Sequence, residues 1–248
     1  MMLGGVWGKW TKWVPVFITI PILLFFVARS LSERRCTGTP ADGYSNDLMI
    51  AECTLLIQLG GSRKTTLAIA YNDRGVAYHG RGDYVQALAD YDTSLKLDSN
   101  AVVTIVNRAF ILHDMGKYDL AIAAFDDVLK REPRKAEAYR GRGLALGAKG
   151  THDKAIADFN LAIKLDSNYA VALYNRGERY ESKGNLDRAF ADYDQAIKLK
   201  WGYADAYNNR GAIYDTRGKY DLAINDYDQA IRHSPKLCRC LQQPRLGV

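Results

Sequence analysis

The stretch ADAYNNRGAIYDTRGKYDLAINDYDQAI, residues 204–231, decides the fold, because its key residues recur upstream at a fixed interval. Its Arg210-Gly211 pair is preceded by Arg176-Gly177, Arg142-Gly143, Arg108-Ala109 and Arg74-Gly75, each step 34 residues long. A constant period in this range means stacked supersecondary units in place of one globular core.

Five blocks follow: 68–101, 102–135, 136–169, 170–203 and 204–237. Their eighth column holds Gly75, Ala109, Gly143, Gly177 and Gly211, where two helices approach too closely for a larger side chain. The twentieth holds Ala87, Ala121, Ala155, Ala189 and Ala223, which repeats that demand. The twenty-fourth carries the rings of Tyr91, Phe125, Phe159, Tyr193 and Tyr227, whose burial is worth roughly 1.5–3 kcal/mol each and which hold the stack together. Apolar spacing marks two short amphipathic helices per block. The glycine between them (Gly82, Gly116, Gly150, Gly184, Gly218) suits a helix C-terminus that needs positive φ. Block ends such as Asp98-Ser99-Asn100 and Glu132-Pro133-Arg134 stop one helix and cap the next, whereas Trp201-Gly202 breaks this habit.

These columns resemble the tetratricopeptide repeat, and the wording from Asn209 to Gly211 and from Ala223 to Ile231 resembles a bacterial branch of it. The resemblance covers residues 68 to 237 and implies an all-α fold: an α-solenoid of five 34-residue helix-turn-helix repeats. Residues 36–67 read as a cysteine-containing linker and a half-repeat capping helix over 47–59, with Met49, Cys53 and Ile57 in the alanine, aromatic and isoleucine columns. Residues 238–248 are a basic tail.

A formal net charge of +6 suggests a basic protein, yet the excess lies at the two ends. Residues 1–36 and 232–248 carry +4 each, which leaves −2 over 37–231, so the repeats lack the charge that phosphate-driven nucleic-acid binding requires. Residues 1–35 form a separate piece: Lys9 and Lys12, an apolar run from Trp13 to Ala28, then Arg29, Arg34 and Arg35. A helix over that run spans about 24 Å, short of a ~30 Å hydrocarbon core, which fits a signal peptide or a short anchor. No Ala-x-Ala cleavage site follows, so the reading favours a retained anchor. The expected location is a bacterial inner membrane with the repeats facing the periplasm, or the periplasm itself if the segment is cleaved. Cys36 and Cys53 are either a disulfide, as the resembled branch often has before its stack, or two free buried thiols.

Several tempting motifs fail on context. Arg81-Gly82-Asp83 occupies the turn column, Gly60 to Thr65 lacks the phosphate-loop spacing, and Cys238-x-Cys240 has no further ligands at zinc-site spacing. No nucleophile setting is recognisable, so the reading is no enzyme, no metal and no cofactor. The concave face of such stacks is lined by the first helices. Here one end presents Ile69, Asn72, Val76, His79, Val103, Val106, Phe110, His113 and Leu144, and the other Tyr174, Glu178, Glu181, Asp205, Asn208 and Asp215, with Arg140 between. This implies a scaffold that binds an extended or helical segment of a partner protein, apolar anchors at the first end and Lys or Arg at the second. The carboxylate clamp of chaperone-tail readers is excluded by Asn72, Val76, Asn107, Glu137 and Gly141 at its positions. Pro235 and Pro244 leave the last ridge without an obvious cover, which makes a homodimer through the fifth block an expectation. The alternative function is a soluble regulatory module attached to an enzyme or cell-envelope factor. The arginine column and Asp90, Asp158, Asp192 and Asp226 suggest an interhelical ladder; Asp92, Asp126, Asp194 and Asp228 read as a solvated face.

Overall fold

The computed structural model describes residue 36 and residues 45–60 and 63–234. Among these residues the structure is all-α, with eleven helices in chain order. They are α1 (Asn46–Gln58), α2 (Lys64–Arg81), α3 (Tyr84–Leu97), α4 (Val102–Asp114), α5 (Tyr118–Arg131), α6 (Ala136–Ala148), α7 (His152–Leu165), α8 (Ala170–Ser182), α9 (Leu186–Leu199), α10 (Ala204–Thr216) and α11 (Tyr220–His233). The chain divides into two units, residues 1–111 and 112–248, with the division inside α4. No described helix is long and apolar enough to cross a membrane. The expected apolar helix and anchor within residues 1–35, and the tail 238–248, lie outside the described residues.

Each helix pair closes at the expected glycine. Gly82, Gly116, Gly150, Gly184 and Gly218 have φ between +69° and +84°, a region that costs other L-residues strain. Gly184 N–H donates to the Glu181 carbonyl and Asn185 N–H to the Tyr180 carbonyl, both at 2.8 Å, so two orphan carbonyls of α8 are satisfied in the turn. The eighth column works through contact. A Cβ on Gly143 would sit 2.8 Å from the Phe159 ring, and one on Gly177 2.6 Å from the Tyr193 ring. Tyr91, Phe125, Phe159 and Tyr193 are fully buried, as are the column-twenty alanines of the same repeats. The Phe125 ring also faces Gly141 of the following repeat, so one side chain serves contacts within and between repeats.

The arginine column forms the ladder. Arg142 forks onto both oxygens of Asp158, through Nε at 2.8 Å and Nη2 at 2.7 Å, and its Nη1 donates to Asp126 at 2.6 Å. Arg176 repeats the pattern with Asp192 and Asn160, and Arg210 with Asp226 and Asp194. Asp126 and Asp194, read as a solvated face, are also acceptors in the ladder, and so is the exposed Asp92, which accepts from Arg108 at 2.7 Å. A planar fork with a third N–H to spare can hold an aspartate in its own repeat and an acceptor in the one before. In the second block Ala124 replaces the buried aspartate, and Arg108 reaches back to Asp92.

In the first unit α1 takes the place of a repeat's second helix. Arg74 forks onto Asp90 and sends Nη1 to Thr54 of α1 at 3.1 Å, the rung position that Asp126, Asn160 and Asp194 fill elsewhere. The exposed rim agrees. Arg81 pairs with Asp47 as Lys149 does with Asp119, Lys183 with Asp153 and Arg217 with Asp187. Both first-unit contacts span four more residues than their later counterparts, 20 against 16 and 34 against 30. The longer joint before α2 accounts for this. Ser45 caps α1 by accepting from the Leu48 N–H at 3.2 Å. Met49, Cys53 and Leu56 are buried, and Ile57, expected in the core, is only half-buried. Cys36 and Cys53 are joined in a disulfide with Cα atoms 4.7 Å apart, buried beside Leu56 and Ala70.

Candidate functional site

In the second unit the first helices α6, α8 and α10 carry the polar columns that packing leaves free. Glu178 and Glu181 lie one turn apart on α8. With Arg179, Ser182 and Asn209 they line an open cavity of about 350 Å³ that is predominantly polar. Its carboxylates are held largely by neutral donors. Tyr193 donates to Glu181 at 2.6 Å, Tyr174 to Glu178 Oε1 at 3.3 Å, and Asn175 Nδ2 to Glu178 Oε2 at 3.4 Å. Asn209 Nδ2 lies 3.4 Å from both the Tyr174 and Tyr193 hydroxyls and bridges α10 to this network. Among the described residues the cation paired with Glu178 is Arg179, at 3.9 Å.

Beneath the carboxylates lies a tyrosine cluster. The Tyr174 ring is 5.0 Å from that of Tyr203 and 5.7 Å from that of Tyr193. Burial is the first cause that pushes each of these phenols above its ordinary range. The negative charges of Glu178 and Asp205 add to it at Tyr174, the hydrogen bond and charge of Glu181 at Tyr193, and Asp205 with Glu178 at Tyr203, which is raised to about 12. The phenols therefore stay protonated at neutral pH, and those of Tyr174 and Tyr193 act as donors to the carboxylates. At the flank, Arg140 Nε donates to the Tyr169 hydroxyl at 2.8 Å and its guanidinium lies over that ring at 5.8 Å. Lys200 sits over the Tyr203 ring at 4.7 Å.

The other expected residues are placed as follows. Asn208 donates to Asn209 at 3.2 Å, Asp215 is exposed and Leu144 is half-buried. In the first unit Ile69, Val76 and Val103 are exposed at 51%, 37% and 58%, Phe110 is half-buried, and Asn107 donates to Asn72 at 3.1 Å. Val106 is corrected from the face to the core: at 1% exposure its short branched side chain is covered by its neighbours. His79 rests edge-on against Tyr84 at 5.8 Å. His113 lies 5.5 Å from Tyr118 and 3.0 Å from an Asp114 oxygen. Among the described residues no group of three His, Cys, Asp or Glu side chains could hold a metal. Sequence reasoning missed Asn209, Tyr203 and Arg179 as site residues and took Tyr193 for packing alone. Asn209 had a signal, since it shares its column with Asn175.

The tetratricopeptide repeat family matches residues 68–101, 111–170, 177–215 and 204–237. A crystal structure of MamA is 30% identical, over 66% of this chain and 96% of that one, with a TM-score of 0.54. The chain belongs to the tetratricopeptide repeat family, whose members are protein-interaction scaffolds and typically not catalysts. The fold is shared with TTC0263, a thermophilic repeat protein of Thermus thermophilus, at 23% identity, coverage of 68% and 92%, and a TM-score of 0.62. It is also shared with YrrB, described as a repeat protein with an unusual peptide-binding site, at 23% identity, coverage of 76% and 95%, and a TM-score of 0.50. No protein of curated function matches the chain.

Proposed function

We propose that this chain is a membrane-anchored or exported scaffold that binds an extended segment of a partner protein on its first-helix faces. In this reading the cavity at Glu178, Glu181 and Asn209 receives a Lys or Arg side chain. The observation that carries it is the setting of the two carboxylates: they are oriented by tyrosine and asparagine donors, with one arginine 3.9 Å away, so a ligand cation finds fixed acceptors and an incompletely neutralised charge. The peptide-binding site described for YrrB supports a peptide ligand. The exposed Ile69, Val76 and Val103 of the first unit offer apolar contacts. The Cys36–Cys53 disulfide supports an oxidising compartment, with residues 1–35 as membrane anchor or export signal and the repeats in the periplasm.

The test uses a fluorescent peptide of alternating leucine and lysine against the full chain and its Glu178→Gln/Glu181→Gln variant, read by anisotropy. Glutamine keeps an acceptor for each tyrosine hydroxyl and removes the charge. The expected loss is about tenfold in affinity, equivalent to about 1.4 kcal/mol, and larger at low salt. Affinity within twofold of the parent at low salt would refute the cation site.

A further inference from the structure

Arginines of the ladder carry aromatic rings. Arg74 lies over the rings of Tyr71 at 5.4 Å and Tyr78 at 5.9 Å, and Arg210 over those of Tyr207 at 5.5 Å and Tyr214 at 5.9 Å. The second ring of each pair comes from the eleventh column, which also gives Arg176 its Tyr180, again at 5.9 Å. Arg142 lies over the fourth-column ring of Tyr139 at 5.6 Å, but its eleventh column holds Leu146.

An open, predominantly apolar cavity of about 340 Å³ stands where that ring would be, lined by Ile122, Leu146, Lys154, Ala157 and the Arg142 rung. The correspondence holds residue by residue. The Tyr180 ring has Arg176 at 5.9 Å and Arg188 at 5.5 Å, and the residues one period before those arginines are Arg142 and Lys154. The Tyr214 ring meets Phe190 of the preceding repeat edge-on at 5.1 Å, and the residue two periods before Phe190 is Ile122. The walls of a ring site are thus in place around a half-buried leucine. Leucine in this column does not open a cavity by itself, since Leu112, its counterpart in the second block, is 4% exposed.

We propose that this cavity binds an aromatic side chain, tyrosine or phenylalanine, presented by a partner protein. The chain's own tyrosines at the corresponding places define the occupant. The negative face of a ring complements Arg142 and the exposed Lys154, while its hydrocarbon edge is buried against Ile122, Leu146 and Ala157. An aliphatic side chain fills the same space and forgoes the two cations. An anion gains little, because Nε, Nη1 and Nη2 of Arg142 already donate to Asp158 and Asp126. The site shares no residue with the cavity at Glu178 and Glu181 and is independent of the function proposed for it.

The probe is N-acetyl-L-tyrosinamide, titrated into the full chain and followed by the methyl resonances of Ile122 and Leu146. Saturable shifts are expected with a Kd of about 1–10 mM, and N-acetyl-L-leucinamide should bind at least about threefold more weakly. Leu146→Tyr supplies the ring from within, so its thermal midpoint should equal or exceed that of the parent and the shifts at Ile122 should disappear. Lys154→Ala, at an exposed position, should weaken the tyrosine probe about two- to fivefold and leave the leucine probe unchanged. The ring site is overturned by absence of saturation at Ile122 below about 30 mM, by equal affinity for the two probes, or by unchanged binding of the tyrosine probe in either variant. A midpoint lowered by more than about 5 °C in Leu146→Tyr overturns it as well, since the space would then not accept a ring. Self-association between about 1 and 100 µM that is lost in both Leu146→Tyr and Trp201→Ala overturns the external partner in favour of a second copy, whose Trp201 is 74% exposed.

Discussion

Replacing Arg142 by methionine tests the ladder quantitatively. Arg142 is 24% exposed at its side chain and holds Asp158, which is 6% exposed, by two short bonds. Removal of one partner of a buried ion pair costs about 3–5 kcal/mol, because the remaining charge is stranded; with the arginine partly in water, about 2–4 kcal/mol is expected here. The protein contains its own control. Arg108 has Ala124 in place of the buried aspartate and pairs with Asp92, the two side chains 35% and 49% exposed, so Arg108→Met should cost under about 1 kcal/mol. Thermal unfolding followed by circular dichroism should show the contrast as a drop of about 5–15 °C for Arg142→Met against a few degrees for Arg108→Met.

A second substitution separates the stranded charge from lost packing. Arg142→Met/Asp158→Leu removes both partners, and the stability lost by the single variant should return in large part, giving a coupling of about 1–3 kcal/mol in the double-mutant cycle. The arginine also bonds Asp126, but that carboxylate is 43% exposed and regains water when released. Equal costs at the two arginines, or a coupling below about 0.5 kcal/mol, would show that the ladder sets geometry without the energetics argued here.

Two further outcomes follow from the surroundings of Tyr203 and of the disulfide. The Tyr203 phenol is raised to about 12 by burial and by Asp205 and Glu178, so the folded state holds its proton more tightly than the unfolded chain. Its contribution is fully present below pH ~10 and is lost as the pH rises towards about 12; absorbance at 295 nm should show Tyr203→Phe removing a late-titrating tyrosine, and an unchanged titration curve would contradict the burial argument. Reduction of Cys36–Cys53 releases a loop with a sequence separation of 17 residues, which should cost roughly 3 kcal/mol and loosen hydrogen-exchange protection in α1 and α2 while α8 to α10 stay unchanged; a uniform loss along the chain would count against the local coupling of stacked repeats.

The fold was legible because packing imposes a column at fixed spacing. Gly143 against Phe159, or Gly184 in a left-handed turn, can be inferred from recurrence alone, since every repeat meets the same steric demand. The aspartates on either side of the aromatic column were harder. Asp158 and Asp126 share a residue type, and only three dimensions show that one arginine takes the first in its own repeat and the second from the repeat before. The site was legible in part. Glu178 and Glu181 stood out because they depart from the columns around them. Val106 misled because a face column occupied by a short apolar residue folds into the core. Asn209 and Tyr193 escaped notice because their roles depend on hydrogen bonds to side chains up to 35 residues away, which no local pattern encodes.

The same separation explains how such a stack can carry a specific surface without weakening its fold. Glu178 and Glu181 are like charges one turn apart on α8, an arrangement that disfavours a helix by a few tenths of a kcal/mol. Neither is needed for the aromatic column, the glycine turn or the arginine ladder. Tyr193 and Asn209, however, have polar ends that reach this cavity, and Glu181 is the acceptor for the Tyr193 hydroxyl at 2.6 Å. The packing residue of one column thus orients the recognition residue of another. Neutral glutamines at 178 and 181 should then leave stability the same or slightly higher while lowering affinity for a basic segment, because the hydroxyls keep their acceptors and only the charge is gone. An equal fall in stability and binding would mean that the carboxylates serve the fold, and the distinction between scaffold columns and recognition columns would fail where the two meet at Tyr193 and Glu181.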